Sequence, residues 1–294
     1  MTGNPPSLSI IGCGKLGQTI GRLLHSRRVF SIKDIVTQSR ASAERAASFL
    51  EAGNPCASVA EMHQSDAVLI ATPDSVVQGV VRELLSVPVV RQGGVVFHCS
   101  GALSSEVLAD LRGAGAYVAS VHPVKSFSSP SAAVRSFAGT YCAIEGDPPA
   151  LELLSSAFQT LGAKLFAVQA ESKALYHAAF VFACNYHTAL MECAFQCCAA
   201  AGIERSEVVK IIEPLVRETT AAVMSRGVES ALTGPVARGD AQVIAEQLAA
   251  VKQWRSDYAD IYKRLGQVAL EIAERGGLLE GAALESTRDV LGGG

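Results

Sequence analysis

Lys173 and His177 stand four residues apart in the stretch KALYHAAFVFACNYHTAL, residues 173–190. On a helix turning about 100° per residue they fall about 40° and one turn apart, on a single face. A lysine buried there, its pKa lowered towards ~7–8, exchanges protons usefully with a small ligand, and the imidazole beside it can orient that ligand. Asn185 falls about 120° round from Lys173 and ~18 Å along the axis. It reaches a longer ligand alongside His177 or, equally well, bonds across packed helices.

Ser100 and His122 form a second pair. FHCSGALSS and SVHPVKSF each place one of them directly after an apolar, strand-like run, where both should face one crevice. His98 lies inside such a run and reads as a hydrogen-bonded interior histidine. Asp74 and Ser104 read first as helix N-caps. Later in the chain, ALTGPVARGDAQVIAEQL sets Arg238 beside the start of a helix for which Asp240 is the natural cap. An arginine in that position is a good carboxylate receptor.

The elements that must position these groups are legible in the first half. LSIIG, IKDIVT, DAVLIATP, GGVVFHCS, AYVASVHP, TYCAIEG and AKLFAVQ are short apolar runs, several of them separated by amphipathic segments with helical spacing. The pattern predicts a parallel sheet covered by helices on both faces, a doubly wound α/β domain over 1–169. From Glu171 onward the strand signals stop. Helical segments fit near 171–201, 206–226 and 240–275, which makes 170–294 an all-helical domain.

At the first strand–helix turn, GCGKLGQTIG carries Gly12, Gly14, Gly17 and Gly21. With a strand before it and a helix after it, the run predicts a dinucleotide-binding turn. Gly12 makes the turn, Gly14 admits the pyrophosphate, Gly17 lets the helix pack on the strand, and Lys15 and Leu16 open the helix against the ligand. Thr72 and Pro73, at the end of DAVLIATP, are expected beside the same ligand. After the second strand, VTQSRAS holds no acid for a ribose 2′-hydroxyl but offers Arg40 flanked by the hydroxyls of Ser39 and Ser42, which suit a 2′-phosphate. NADP is therefore the expected cofactor.

The bulk composition excludes other classes. Among 294 residues, 49% hydrophobic and 18% charged with a formal net charge of −3, there is no basic excess for nucleic acid. The eight cysteines form no Cys-x-x-Cys pair, so reduced, mostly buried thiols in a cytoplasmic protein are expected, with no metal centre. The N-terminus lacks a basic region followed by a long apolar core, so no secretory signal is expected. The greasy stretch at 174–203 is interrupted by polar residues and has no second span beside it. It reads as the core of a helical domain or homodimer, not as a membrane helix.

Taken together, the glycine run, IATPDS, HCSGALSSEVL, SVHPVKSF, KALYHAAFVFACNY and ALTGPVARGD resemble a bacterial family of predicted NADP-linked oxidoreductases. Its members join a Rossmann-like domain to a helical C-terminal domain of long-unassigned function. The family looks like a relative of 6-phosphogluconate dehydrogenase, ketopantoate reductase and pyrroline-5-carboxylate reductase, and some members are alternative ketopantoate reductases. The resemblance implies a catalytic Lys173 with His177 one turn on. Ser100, His122, Asn185 and Arg238 would lie on the substrate side. Val181 departs from the asparagine often found in ketopantoate reductases. Thr233-Gly234-Pro235 loosely resembles the carboxylate-binding loop of pyrroline-5-carboxylate reductase. The expectation is an NADPH-dependent reductase of a small carboxylate-bearing ketone. Cyclic-imine reduction and a non-enzymatic NADPH-binding regulator stay open as alternatives.

Overall fold

The computed structural model describes residues 4–292. In chain order the first region runs β1 (Ser7–Ile11), α1 (Lys15–Ser26), β2 (Ser31–Val36), α2 (Arg40–Leu50), β3 (Asn54–Cys56), β4 (Ser65–Ile70), α3 (Asp74–Leu85) and β5 (Val90–His98). It continues with α4 (Asp110–Gly113), β6 (Tyr117–Pro123), α5 (Pro130–Arg135), β7 (Tyr141–Gly146), α6 (Pro148–Thr160), β8 (Lys164–Ala167) and α7 (Lys173–Phe180). The eight strands form one sheet in the order β3-β2-β1-β4-β5-β6-β7-β8.

Alternation explains why the sheet is covered on both faces. Successive side chains on a strand point to opposite sides. Ile10, Leu69, Phe97 and Val121 enter one buried cluster, whereas Ile11, Ile70, Val96 and Val118 enter the other. Helix α1 packs on the first of these with Ile20, Leu23 and Leu24, all buried.

The sheet is mostly parallel, and one feature departs from the all-parallel expectation. β7 pairs antiparallel with β6, and β8 pairs parallel with β7. An antiparallel outer pair is common on such sheets. Here it decides where the next helix begins. β6 ends at the crevice with His122 and Pro123, opposite Ala143 and Cys142 near the start of β7. β8 therefore runs away from the crevice, and α7 starts below it.

The chain divides into two compact units, 1–182 and 183–294. The division falls inside a π-helical turn, Val181–Tyr186, that follows α7. The second unit holds α8 (His187–Ala200), α9 (Arg205–Arg226), α10 (Val228–Ala231), α11 (Pro235–Arg238), α12 (Ala241–Trp254), α13 (Ser256–Arg275) and α14 (Gly281–Gly292). The helix expected over 171–201 is thus interrupted by the π turn. The one expected over 240–275 breaks at Arg255, where the backbone is extended, and α14 adds a helix not foreseen. The buried core of this unit gathers Ile244, Leu270, Ala273, Leu279, Leu284 and Leu291. Helix α9 buries only Val208 and leaves Ile211, Leu215 and Met224 exposed.

Cys13, Cys56, Cys99 and Cys142 are buried free thiols; Cys184 is exposed and Cys193, Cys197 and Cys198 are half-buried. "Mostly buried" therefore holds for the sheet region alone, because no residue of α8 is fully buried among the described residues. No helix among the described residues is long and apolar enough to cross a membrane.

Candidate functional site

The glycine turn is built for close approach. Gly12 sits at φ +82°, and a Cβ there would lie 2.6 Å from the Thr72 amide nitrogen. Gly17 faces the Gly12 carbonyl, where a Cβ would come within 2.7 Å. Gly14 is the N-cap of α1, has no capping side chain, and meets nothing within 4 Å of its would-be Cβ. The first amides of α1 thus open onto free space, a ready anion site.

Two cavities meet over this turn, of about 700 and 460 Å³, and share Gly14, Ala71, Thr72 and Pro73. Lys15 and Leu16 line the smaller one. The Thr72 hydroxyl is buried without a hydrogen-bond partner among the described residues. Such a group carries a desolvation cost of ~1–3 kcal/mol unless a ligand bonds it. A two-lobed cavity, open helix amides and an orphaned hydroxyl between the lobes fit a dinucleotide.

The larger cavity is where the sequence reading needs revision. Ser39 is spent as the cap of α2, exchanging bonds with Ser42 in a capping box. Arg40 is exposed and faces Glu44 at 3.5 Å. Neither lines the cavity; Thr37, Gln38, Ser42 and Arg45 do. Arg45 follows Ser42 by three residues and so shares its helical face. That spacing was a usable signal, hidden behind the more obvious Arg40. No acid closes β2 on this side: Asp34, fully buried, accepts bonds from the Asn54 side chain and the His63 amide.

The smaller cavity ends on Ser100, Gly101, His122 and His177. Lys173 lies beneath, at 1% exposure, and is not among the residues that line the cavity. Its Nζ donates to the Ser100 carbonyl at 2.9 Å and to the Ser120 hydroxyl at 2.8 Å. Because β8 runs away from the crevice, α7 begins at this depth and brings His177 to the cavity one turn later. Burial lowers the Lys173 pKa, while Glu145, Cys99 and Asp74 act in the opposite sense. Ser120, expected with the rest of SVHPVKSF just after a strand, lies instead fully buried inside β6, where its bond to Lys173 had no sequence signal.

His122 is held in a box of rings. Tyr176, His177 and Phe180 of α7 stand edge-on or tilted to it at 5.7, 5.9 and 6.4 Å between centroids. Its Nδ1 lies 2.9 Å from the Tyr176 hydroxyl. Burial, the Lys173 charge and His177 push the His122 pKa down to about 4. Gly101 makes the two imidazoles' approach possible, since a Cβ there would lie 2.4 Å from His177 Cδ2 and 2.9 Å from His122 Nε2.

Ser100 is more committed than expected. Its hydroxyl donates to Asp74 Oδ2 at 2.8 Å and accepts the Ala102 and Leu103 amides. Asp74 opens α3 as its first residue, without the expected capping bond, and Ser104 likewise caps nothing with its side chain. His98 is interior: Nε2–H donates to the Ser104 carbonyl, and Nδ1 accepts the Ser100 amide. Its pKa falls to about 4, mainly through burial.

Asn185 and Arg238 belong to the second unit. Asn185 is exposed in the π turn. Arg238 pairs with Asp240 at 2.8 Å, exposed on both sides, so it has the structural task that its sequence context did not suggest. Asp240 is the N-cap residue of α12, but its carboxylate goes to Arg238 and not to the helix amides. Among the described residues no group of His, Cys, Asp and Glu could hold a metal ion.

Comparison with known proteins finds two matched regions, the second of which begins inside the first compact unit. Residues 4–123 match the model of a Rossmann-like domain, and residues 140–269 match a domain of unknown function, DUF2520. No protein curated for function matches the sequence. Among solved structures, protein TM1727 from Thermotoga maritima is similar at 26% identity and TM-score 0.71, over 91% of this chain and 98% of its own. A "putative NADP oxidoreductase", BF3122 from Bacteroides fragilis, shares the fold at 21% identity and TM-score 0.69, over 92% and 99%. An imine reductase from Myxococcus stipitatus, solved with NADP+, does so at 17% identity and TM-score 0.65, over 96% and 99%.

Proposed function

We propose that this chain, a Rossmann-like domain joined to a DUF2520 domain, is an NADPH-dependent reductase of a small carboxylate-bearing ketone, with ketopantoate the first substrate to test. One observation carries the reading. A two-lobed cavity passes over an open helix N-terminus and ends on two imidazoles above a buried lysine. Fold likeness to reductases supports the class and leaves the substrate open.

The residues that would hold the dinucleotide are Gly12, Gly14 and the first amides of α1 for its phosphates. Thr72 would serve at the junction, and Ser42 with Arg45 at a 2′-phosphate. A bound NADPH would supply the hydride. The chain's part is to position the acceptor and manage a proton. His122 and His177 orient the substrate from the cavity wall. Lys173, which as an ammonium keeps one N–H beyond the two given to Ser100 and Ser120, is the proton source. On this reading residues 1–169 form the cofactor domain and 170–294 the substrate and dimerisation domain. The exposed apolar residues of α9 support a homodimer.

The test is an NADPH-oxidation screen against ketopantoate, other 2-keto acids and cyclic imines. Turnover of a keto acid supports the proposal, and turnover of cyclic imines alone redirects it to the imine class. Tight NADPH binding with no turnover of any compound favours a cofactor-binding regulator.

A further inference from the structure

We propose that Tyr176 fixes His122 as the neutral Nε2–H tautomer, so that this N–H is the donor the cavity offers to the reacting oxygen or nitrogen of the substrate. The proposal rests on the reductase reading for the identity of that acceptor; the tautomer itself does not depend on it.

The hydrogen bond between His122 Nδ1 and the Tyr176 hydroxyl, 2.9 Å long, can run in either direction. If Nδ1–H donated, the phenol proton would need another acceptor, and Tyr176 has none among the described residues. If the phenol donates, both half-buried groups are satisfied and the ring proton is placed on Nε2. Nε2 has no protein partner among the described residues and faces Gly101 in the cavity wall. His98 supplies the contrast. It is the same tautomer, with Nδ1 accepting a backbone amide, but its Nε2–H is already taken by the Ser104 carbonyl. Of the two imidazoles at these strand ends, only that of His122 keeps an N–H to give.

The surroundings hold the ring in this state. The three rings of Tyr176, His177 and Phe180 resist a ring flip. The titrating groups that act on it or bond it are Lys173, Tyr176 and His177 from α7, while Asp74, His98 and Lys125 line the same cavity. Lys173 and His177 both disfavour a second proton on His122, as burial does. The Tyr176 hydroxyl is itself pushed up to about 12, so it stays a donor through the neutral range. Tyr176 is thus a positioning residue, acting through His122.

The experiment is a long-range proton–nitrogen NMR spectrum of the full chain labelled at its histidines, with the His122 signals assigned by their loss in His122→Asn. The sequence has only six histidines to resolve. Between pH 6 and 8 the wild type should show a protonated Nε2 and a hydrogen-bonded, unprotonated Nδ1. In Tyr176→Phe the same signals should move to a mixture of tautomers while the other histidines stay in place. An Nδ1–H form or an imidazolium in the wild type would overturn the proposal, as would an unchanged tautomer in the variant. With whichever compound the screen shows to be reduced, Tyr176→Phe should lower kcat about tenfold at unchanged NADPH affinity. An unaltered kcat despite a scrambled tautomer would refute the donor role. A failed substrate screen leaves the NMR result decisive on its own.

Discussion

The Nζ of Lys173 and the Oγ of Ser120 lie 2.8 Å apart at the base of the crevice, on side chains with 1% and 0% exposure. A buried ammonium is tolerated only when it is hydrogen-bonded. Ser120 and the Ser100 carbonyl provide for that without a paired carboxylate, which leaves the proton comparatively easy to give up. Under the proposed function, the arrangement would favour proton transfer over stability.

Replacing the lysine should therefore separate the two properties. Lys173→Met keeps the volume and removes the charge, so the urea midpoint at pH 7 should equal or exceed that of the wild type. Turnover should fall by about 10²-fold or more, with NADPH affinity hardly changed. Full turnover in the variant would remove Lys173 from the chemistry.

Cofactor choice should depend on Arg45 more than on Arg40. Loss of one charge-assisted bond, ~1.5–3 kcal/mol, corresponds to a roughly ten- to hundredfold weaker Kd. Fluorescence titration of Arg45→Ala should show that loss for NADPH and little change for NADH. Arg40→Ala, already held by Glu44 at the surface, should show less. The opposite ranking would return the 2′-phosphate to Arg40.

Gly101→Ala places a methyl where two imidazoles meet. The protein should fold and bind NADPH, because the glycine turn is untouched. Under the proposed function, turnover should drop about ten- to hundredfold, as when substrate-positioning groups are displaced by about an ångström. Wild-type kinetics in this variant would show that the His122–His177 approach is incidental.

The interior histidines set an acid limit. His98 has a folded pKa near 4 against 6.5 when unfolded, so the unfolded chain binds the extra proton first. Stability is complete above pH 6.5 and declines as pH falls towards 4, by about 2 kcal/mol at pH 5 from His98 alone. His122 adds a smaller loss of the same sign, since its ring is less buried. Denaturation midpoints for His98→Gln should vary less over pH 7–5 than those of the wild type; parallel curves would refute the assignment.

Much of this arrangement was legible in the chain. The glycine turn is local, needing only a strand, three glycines and a helix, and short-range pattern specifies it completely. Ser100 and His122 were found because both follow apolar runs and strand ends converge. The role of Ser120 was not, because a serine at an apolar strand carries no sign of which helix will cover it. Arg45 was overlooked for a related reason: Arg40 has the same chemistry closer to the turn, and only the capping of α2 by Ser39 shows which arginine faces the cavity. The reversal of β7 and β8 had no local signal at all, since strand direction depends on where the intervening segments pack.

That reversal also bears on when the site forms. The acceptors of the Lys173 ammonium lie 73 and 53 residues earlier in the chain. They come together only when β5 and β6 are side by side, and closing loops of that length costs chain entropy. The lysine's hydrogen bonds are thus available only to a chain whose β5 and β6 have paired, so the ammonium is satisfied by the tertiary fold and not by its own helix.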